Sequence, residues 1–501
     1  MKRRKALKSI GLGVTAGLAL PWLSSCSEEE PGPEVKYDGV VGIIGAGAAG
    51  LFAADFLIAK GVKVKIFEAS SRIGGRVRSI RTSDPLFNDL IADFPVELGA
   101  DRVIGTNSEW GSLIKLLKVP TVDFRGMDVN AMDKYFLDNQ YKTATEVAND
   151  SDFLALVNFR DNILPGYTGG GSVQAAASLN PRMNAILNSW LGNPYGSSAD
   201  RVGAQGLGEA IEVFQSQLDP PPHDGKELTL NINPMSDLLI SRFSRATSKV
   251  QFNKAIEFVD YSGDLVTLSV KDTLSNAVTS ETVNKLIVTV PVSILKAGDI
   301  GFNPPLPSSK NAAMSKIGMD ASIRIILEFN RNDIFGPDTA FIFGGTESPS
   351  SFLSGVGRSD ETKNRTFSFT INGPKAEELS ALTDLEKVER VLTEMDNVGL
   401  YATQEVRHKF IEDPLDSTNF IDQGIIYVVQ DWTKEPYIKG GQSYPLVGGT
   451  NNDRVTLAEP VGENLYFAGE ATDVTGEFGT VSGALKSGRR AAEELIASIV
   501  G

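Results

Sequence analysis

The sequence predicts an α/β protein with two parts: a doubly wound, parallel-sheet domain assembled from discontinuous segments, and a second domain of mixed sheet plus helices. Three observations predict it. A continuous apolar run from Val40 to Ile44 breaks into Gly45-Ala46-Gly47-Ala48-Ala49-Gly50 and passes into a helical pattern from Leu51 to Ala59. A similar strand-like run, Leu465-Tyr466-Phe467-Ala468, sits near the other end of the chain, so distant segments are expected to share one sheet. The 501 residues, 41% hydrophobic and 22% charged, have an ordinary globular composition and enough length for roughly two to four cores. The expected division places residues 37–100, 200–300 and 430–501 in the parallel-sheet domain and 101–199 and 301–429 in the second domain, with 1–36 preceding both.

That leading segment opens MKRRKALKSIGLGVTAGLALPWLSSC. Its basic start, short apolar stretch from Ile10 to Leu20 and small residues before Cys26 read as an export signal, too short in its apolar part for the ~20 residues of a membrane-spanning helix. Arg3-Arg4 resembles a twin-arginine signal, and Leu23-Ser24-Ser25-Cys26 resembles the lipobox of bacterial lipoproteins, which implies acylation of Cys26 and a membrane contact through the lipid alone. Ser27 to Glu34 is acidic and rich in Pro and Gly, hence a solvated tether. Cys26 is the only cysteine, so a disulfide, an iron–sulfur cluster or a cysteinyl cofactor link is excluded once it is lipidated. The net charge of −15 argues against nucleic acid as a partner, because such a surface repels phosphate backbones.

Val62 to Phe67 alternates as a second strand and ends at Glu68, roughly 20 residues past the glycine turn, which completes a Rossmann-like βαβ unit. Glycines at Gly45, Gly47 and Gly50 let backbone amides approach a pyrophosphate at a helix N-terminus, and an acid at Glu68 suits ribose hydroxyls. Further on, Gln205 to Leu218 reads as a helix, and Lys249 to Val259 with Leu265 to Val270 as a hairpin. Lys285 to Val290 reads as a buried strand, and Pro304 to Ser315 as a proline-rich turn into a short helix. Ser322 to Phe329 alternates as a strand, and Val481 to Ile499 reads as a long helix.

Directly after Glu68 comes a second glycine turn, Ala69-Ser70-Ser71-Arg72-Ile73-Gly74-Gly75-Arg76, followed by Val96-Glu97-Leu98-Gly99-Ala100. Together with Val288-Thr289-Val290-Pro291, Phe302 to Pro307, Trp432 to Tyr444, Asn464 to Glu470 and Gly479-Thr480-Val481-Ser482-Gly483-Ala484, it resembles the flavin-containing amine oxidases, in family order over residues 37 to 501. The resemblance implies noncovalent FAD. Gly45, Gly47, Ala48, Gly50 and Glu68 would hold its adenosine diphosphate half, with Arg72, Gly75 and Arg76 near the pyrophosphate and Ile256 near the adenine. Leu98, Gly99 and Ala100 would pass along the flavin, Gly469 and Glu470 would hold the ribityl portion, and the amides of Thr480 and Val481 would face the isoalloxazine. Ser70 stands where many relatives have arginine.

Trp432, Pro436, Tyr437 and Tyr444 resemble the segment lying against the flavin, although the sequence leaves open whether Gln442 or Tyr444 takes the flanking aromatic's place. Thr480 stands where monoamine oxidases carry the other aromatic of their substrate cage. The reaction implied is hydride transfer from an amine or L-amino acid to FAD, with oxygen or another electron acceptor taking the electrons; a C–C dehydrogenase or desaturase is the rival reading. Arg102 has two readings: a guanidinium for a substrate carboxylate, or an ion pair with Glu97, Asp101 or another acid. Arg324 stands where many relatives place a lysine that holds a water against the flavin, and is expected to point at the flavin. His223 and His408 are expected to be structural or solvated.

Overall fold

The computed structural model describes residues 34–80, 92, 94–123, 132–216, 226–329, 339–355, 366–397 and 425–500. The leader with Cys26, and both His223 and His408, lie outside them.

The apolar run Val40–Ile44 forms the middle of a five-stranded parallel sheet in the order Val250–Gln251, Lys63–Phe67, Val40–Ile44, Lys285–Val288, Leu465–Phe467. Strands buried on both faces read as unbroken apolar runs, because each face carries its own layer. Here one face packs under the glycine-turn helix Ala48–Ala59 and the C-terminal helix Val481–Val500, through Val41, Ile43, Leu51, Leu57, Leu485 and Leu495. The other face, with Ile44, Phe67, Leu286 and Val288, packs on a four-stranded sheet of Val278–Val283, Val266–Asp272, Lys254–Asp260 and Gly301–Asn303. The chain leaves the first strand toward one side of the sheet and later returns on the other, so a crevice opens at the carboxyl ends of Val40–Ile44 and Lys285–Val288.

The expected hairpin is therefore larger and divided. Val250–Gln251 joins the parallel sheet, Asn253 turns the chain at φ 57°, and Val278–Val283, which the sequence reading missed, completes an antiparallel meander from its mostly exposed edge.

The second core is built on a seven-stranded mixed sheet ordered Ile425–Asp431, Ser322–Phe329, Thr366–Asn372, Ser350–Leu353, Phe341–Phe343, Lys134–Leu137, Gln140–Thr143. Ser322–Phe329 is buried at all eight positions rather than on one face only. Ile323, Ile325, Leu327 and Phe329 face the helices of this core, while Ile326 on the opposite face meets Phe94, Val96 and Leu98. Two expected boundaries shift with the packing: Val103, Trp110, Leu113 and Ile114 pack in the parallel-sheet core, whereas Ala204, Leu207 and Ala210 of the helix Ala204–Ser216 pack in the second.

Candidate active site

The three glycines of the first turn have three different surroundings. Gly45 has φ 105° at the end of its strand, a conformation that suits glycine. A Cβ at Gly50 would lie 2.1 Å from the Gly45 carbonyl oxygen, so this glycine lets the helix pack onto the turn, while a Cβ at Gly47 would meet no protein atom within 4 Å. Those are the turn, packing and close-approach tasks of a dinucleotide fingerprint. Gly47 and Ala48 open onto a cavity of about 1450 Å³; Gly50 is off its wall and acts through packing alone.

Glu68 ends the second strand on that wall and accepts from the Ala46 amide at 2.7 Å and from the Ser70 amide and hydroxyl at 2.9 and 2.7 Å. Ser70 thus holds the acid that sequence reasoning assigned to the ribose. Arg72 donates to the Gly75 carbonyl at 2.7 Å, and Arg76 bridges the Gly441 carbonyl at 2.7 Å and Glu470 Oε1 at 2.9 Å. Glu470 is a hub: it also accepts from the Ser443 amide and hydroxyl and from the Gly479 amide. Burial would raise its pKa, but Arg76 and Arg454 overcome that and hold it below the usual carboxylate range. Both its oxygens are taken by protein groups, so it works by positioning Arg76, Ser443 and Gly479. Ile256 lines the cavity beside a β-bulge in the four-stranded sheet.

Beyond the second glycine turn the wall passes Gly99, Ala100 and Trp432. The indole N–H of Trp432 donates to the Leu98 carbonyl at 2.9 Å. Leu98 was expected along the flavin; its side chain instead packs with Ile326 and Val428, away from the cavity. A larger correction concerns Tyr444. Its strand, Ser443–Pro445, pairs with Ile317–Met319, and its buried hydroxyl donates to Asp320 at 2.8 Å, so it is off the cavity wall and Gln442 is on it. Thr480 lines the cavity, but its hydroxyl donates to the Glu477 carbonyl at 2.6 Å and accepts from the Gly483 amide, while its own amide also bonds the Glu477 carbonyl. Of the two amides expected to face the flavin, that of Thr480 is thus taken by the turn before the C-terminal helix, and that of Val481 stands at the first position of the helix, where no carbonyl of the helix itself can accept from it.

Arg324 is buried rather than on the surface and lines the cavity, but its charge is committed: it donates to Asp101 Oδ2 at 2.6 Å, the Ser368 hydroxyl at 2.9 Å and the Gly99 carbonyl at 3.0 Å. Arg102 follows the second of its two readings, pairing with Glu227 at 3.0 Å and with Asp101 at 3.6 Å. The far end of the cavity is an aromatic chamber in which Tyr135, Phe153 and Trp190 meet edge to face at centroid distances of 5.0 to 6.0 Å, with Tyr195 and Phe478 tilted together at 6.3 Å. Sequence reasoning missed these aromatics, Glu227 and Trp110; none sits in a motif, and only the folded chain gathers them. Trp110 is buried on the cavity wall with an indole N–H that has no hydrogen-bond partner. That orphaned donor, the open space at Gly47 and the Glu68 turn all fit an extended polar ligand along the near part of the cavity.

Residues 48–211 and 225–496 match the family described as flavin containing amine oxidoreductase. The chain belongs to that family. Its cofactor is FAD. Among similar proteins, lysine-specific histone demethylase 2 of Homo sapiens is 26% identical over 491 residues, covering 93% of this chain and 54% of that protein. Polyamine oxidase 4 of Oryza sativa subsp. japonica is 31% identical over 218 residues, covering 43% and 40%. The chain thus spans about half or less of these relatives' length. Two solved structures share the fold: a putrescine oxidase bound to putrescine, with TM-score 0.69 and 16% identity over 92% of this chain and 99% of that one, and cyclohexylamine oxidase from Brevibacterium oxydans IH-35A, with TM-score 0.68 and 16% identity over 93% and 100%.

Glu477, on the cavity wall and ion-paired with Lys486, is pushed up from 4.5 to about 7 because burial outweighs the lysine and Asp473 adds repulsion. The unfolded chain releases this proton near 4.5 and the folded protein near 7, so the contribution to stability falls as pH rises across that window. Glu477→Gln removes this contribution and is expected to gain on the wild type by about 3 kcal/mol between roughly pH 4 and pH 8. Unfolding curves of both proteins across that range check it; parallel pH profiles would show that Glu477 titrates normally.

Proposed function

We propose that this protein oxidises a small amine by hydride abstraction, with molecular oxygen or a second acceptor taking the electrons. The observation that carries the reading is the state of the charged groups around Trp432 and Gly99: Arg324, Asp101 and Glu470 are each hydrogen-bonded or ion-paired to the protein. Such a site suits a reaction that needs orientation and an uncharged amine rather than a strong acid or base. FAD, held along Gly47, Ala48 and Arg76, would supply a two-electron acceptor for the hydride on the carbon bearing the amine, and water would hydrolyse the resulting imine to a carbonyl and ammonia or an amine.

The chain's own residues would orient and desolvate the substrate. The aromatic chamber favours the neutral form of an amine, since burial disfavours the charged one. Gln442 Nε2 donates to the Pro194 carbonyl, and because a carbonyl only accepts, the amide orientation is settled and Oε1 is left as an acceptor for a substrate N–H. The pairing of Arg324 with Asp101 favours a modest reaction with oxygen, because the cation's field is largely cancelled, and keeps an alternative acceptor in play. The test is anaerobic mixing of the yellow holoenzyme with putrescine, cyclohexylamine and a methylated-lysine peptide. Bleaching by one of them is expected; a flavin that stays oxidised with amines but bleaches with a C–C substrate would replace this reading with the dehydrogenase or desaturase one. Mixing the bleached enzyme with oxygen or an artificial acceptor then ranks the two.

Noncovalent attachment follows from the sequence, in which the one cysteine, Cys26, lies in the leader and neither His223 nor His408 lies in the motifs that resemble the flavin site. Acid precipitation is expected to leave the yellow colour in the supernatant. Export and acylation at Cys26 complete the proposal, and no helix among the described residues is long and apolar enough to cross a membrane. Cys26→Ser is expected to move the protein from the membrane to the soluble fraction; unchanged partitioning would end the lipoprotein reading.

A further inference from the structure

We propose that Asp101 is a built-in carboxylate: it occupies, between Arg324 and Arg102, the place that a substrate carboxylate would take, and so restricts the site to amines without one. The inference rests on the amine-oxidation reading and narrows its substrate class. Arg324, Asp101, Arg102 and Glu227 form a continuous chain of alternating charge along the cavity wall, with contacts of 2.6, 3.6 and 3.0 Å. Two cations and two anions leave it neutral. Among the described residues Asp101 is the acid shared by both arginines, and its side chain is only 14% exposed.

Each arginine also has partners other than Asp101. Arg324 is fixed by the Gly99 carbonyl and the Ser368 hydroxyl, and Arg102 by Glu227 and by the rings of Phe341 and Phe352, whose centroids lie 5.9 and 5.7 Å from its guanidinium carbon. Removing the Asp101 carboxylate would therefore leave two preorganised guanidiniums facing the vacated volume, the arrangement that binds a carboxylate strongly. In the wild type a substrate carboxylate arriving there would meet Asp101 itself, with no uncommitted cation to offset the repulsion. Burial works against the charge on Asp101, but Arg324 and Arg102 hold its pKa below the usual range, so it stays an anion at neutral pH.

The experiment is chemical rescue of Asp101→Ala holoenzyme with formate, acetate and benzoate, against chloride at equal ionic strength, read by the flavin spectrum and the melting temperature. The variant is expected to melt lower than wild type, to bind formate or acetate at least 10-fold more tightly than wild type does, and to recover part of its melting temperature on binding. The double variant Asp101→Ala/Arg102→Met is expected to lose that gain. If Asp101→Ala does not fold, Asp101→Ser, which also vacates the carboxylate's volume, is compared with wild type by turnover of phenylalanine relative to phenethylamine, a ratio expected to rise at least 10-fold. Equal carboxylate affinity in wild type and variant, a gain that survives loss of Arg102, or an unchanged turnover ratio would overturn the proposal. Carboxylate binding needs no amine turnover, so rescue without amine oxidation would count against the reaction assigned above and not against Asp101.

Discussion

Gly50→Ala is expected to fold its second core yet purify without yellow colour. The new Cβ would sit 2.1 Å from the Gly45 carbonyl oxygen and 3.1 Å from Thr289 Oγ1. The nearer atom is backbone of the turn itself, so no rotamer change relieves the collision; the helix Ala48–Ala59 must move off the strand and carry the amides of the turn with it. Overpacking of this kind costs about 1–3 kcal/mol or more, and here it falls on the geometry that holds the pyrophosphate, so FAD affinity is expected to drop by about 100-fold. Gly47→Ala is the informative companion. Its Cβ meets no protein atom within 4 Å, so the apoprotein is expected to melt normally while FAD binding still weakens. Titration of both apoproteins with FAD checks the pair, and wild-type flavin content in Gly50→Ala would show that the turn is looser than the contacts imply.

Arg324→Met is expected to cost about 3–5 kcal/mol of folding stability, the usual penalty for leaving one member of a buried ion pair alone. The side chains of Arg324 and Asp101 are 8% and 14% exposed, and the methionine would leave Asp101 with only Arg102 at 3.6 Å and strip the Gly99 carbonyl and Ser368 hydroxyl of a donor. Lys65 with Glu281, at 39% and 36% exposed, is the contrast: there the pair is worth about 0–1 kcal/mol. Denaturant unfolding of the two single variants and of Arg324→Met/Asp101→Leu measures the coupling. The double variant is expected to recover most of the loss, since an apolar pair has no stranded charge. A loss below about 1 kcal/mol in Arg324→Met would mean that water reaches Asp101.

The glycine turn, Glu68, the second turn through Arg76 and the final strand and helix were legible in the sequence because each is a local signal. An apolar run, a glycine where φ must be positive and a spaced acid are enough to specify a βαβ unit, whichever way the rest of the chain folds. Family membership followed from the same local motifs, and so did the placing of Trp432, Gly99 and Arg324 on one wall. Which neighbours those residues meet was decided only by tertiary pairing. Tyr444 and Gln442 both lie near Gly441, and it is the register Tyr444 opposite Gly318, where the glycine leaves room for the ring, that turns the tyrosine to Asp320 and leaves Gln442 at the cavity. Asp101 meets Arg324 across 223 residues and Arg102 meets Glu227 across 125. No periodicity or spacing encodes contacts of that range. The sequence by itself determined the dinucleotide-type βαβ turn and the family, because backbone geometry is written locally; only the packing of two cores against each other decided that Arg324 and Arg102 would be neutralised, because charges pair with whatever the fold brings within about 4 Å.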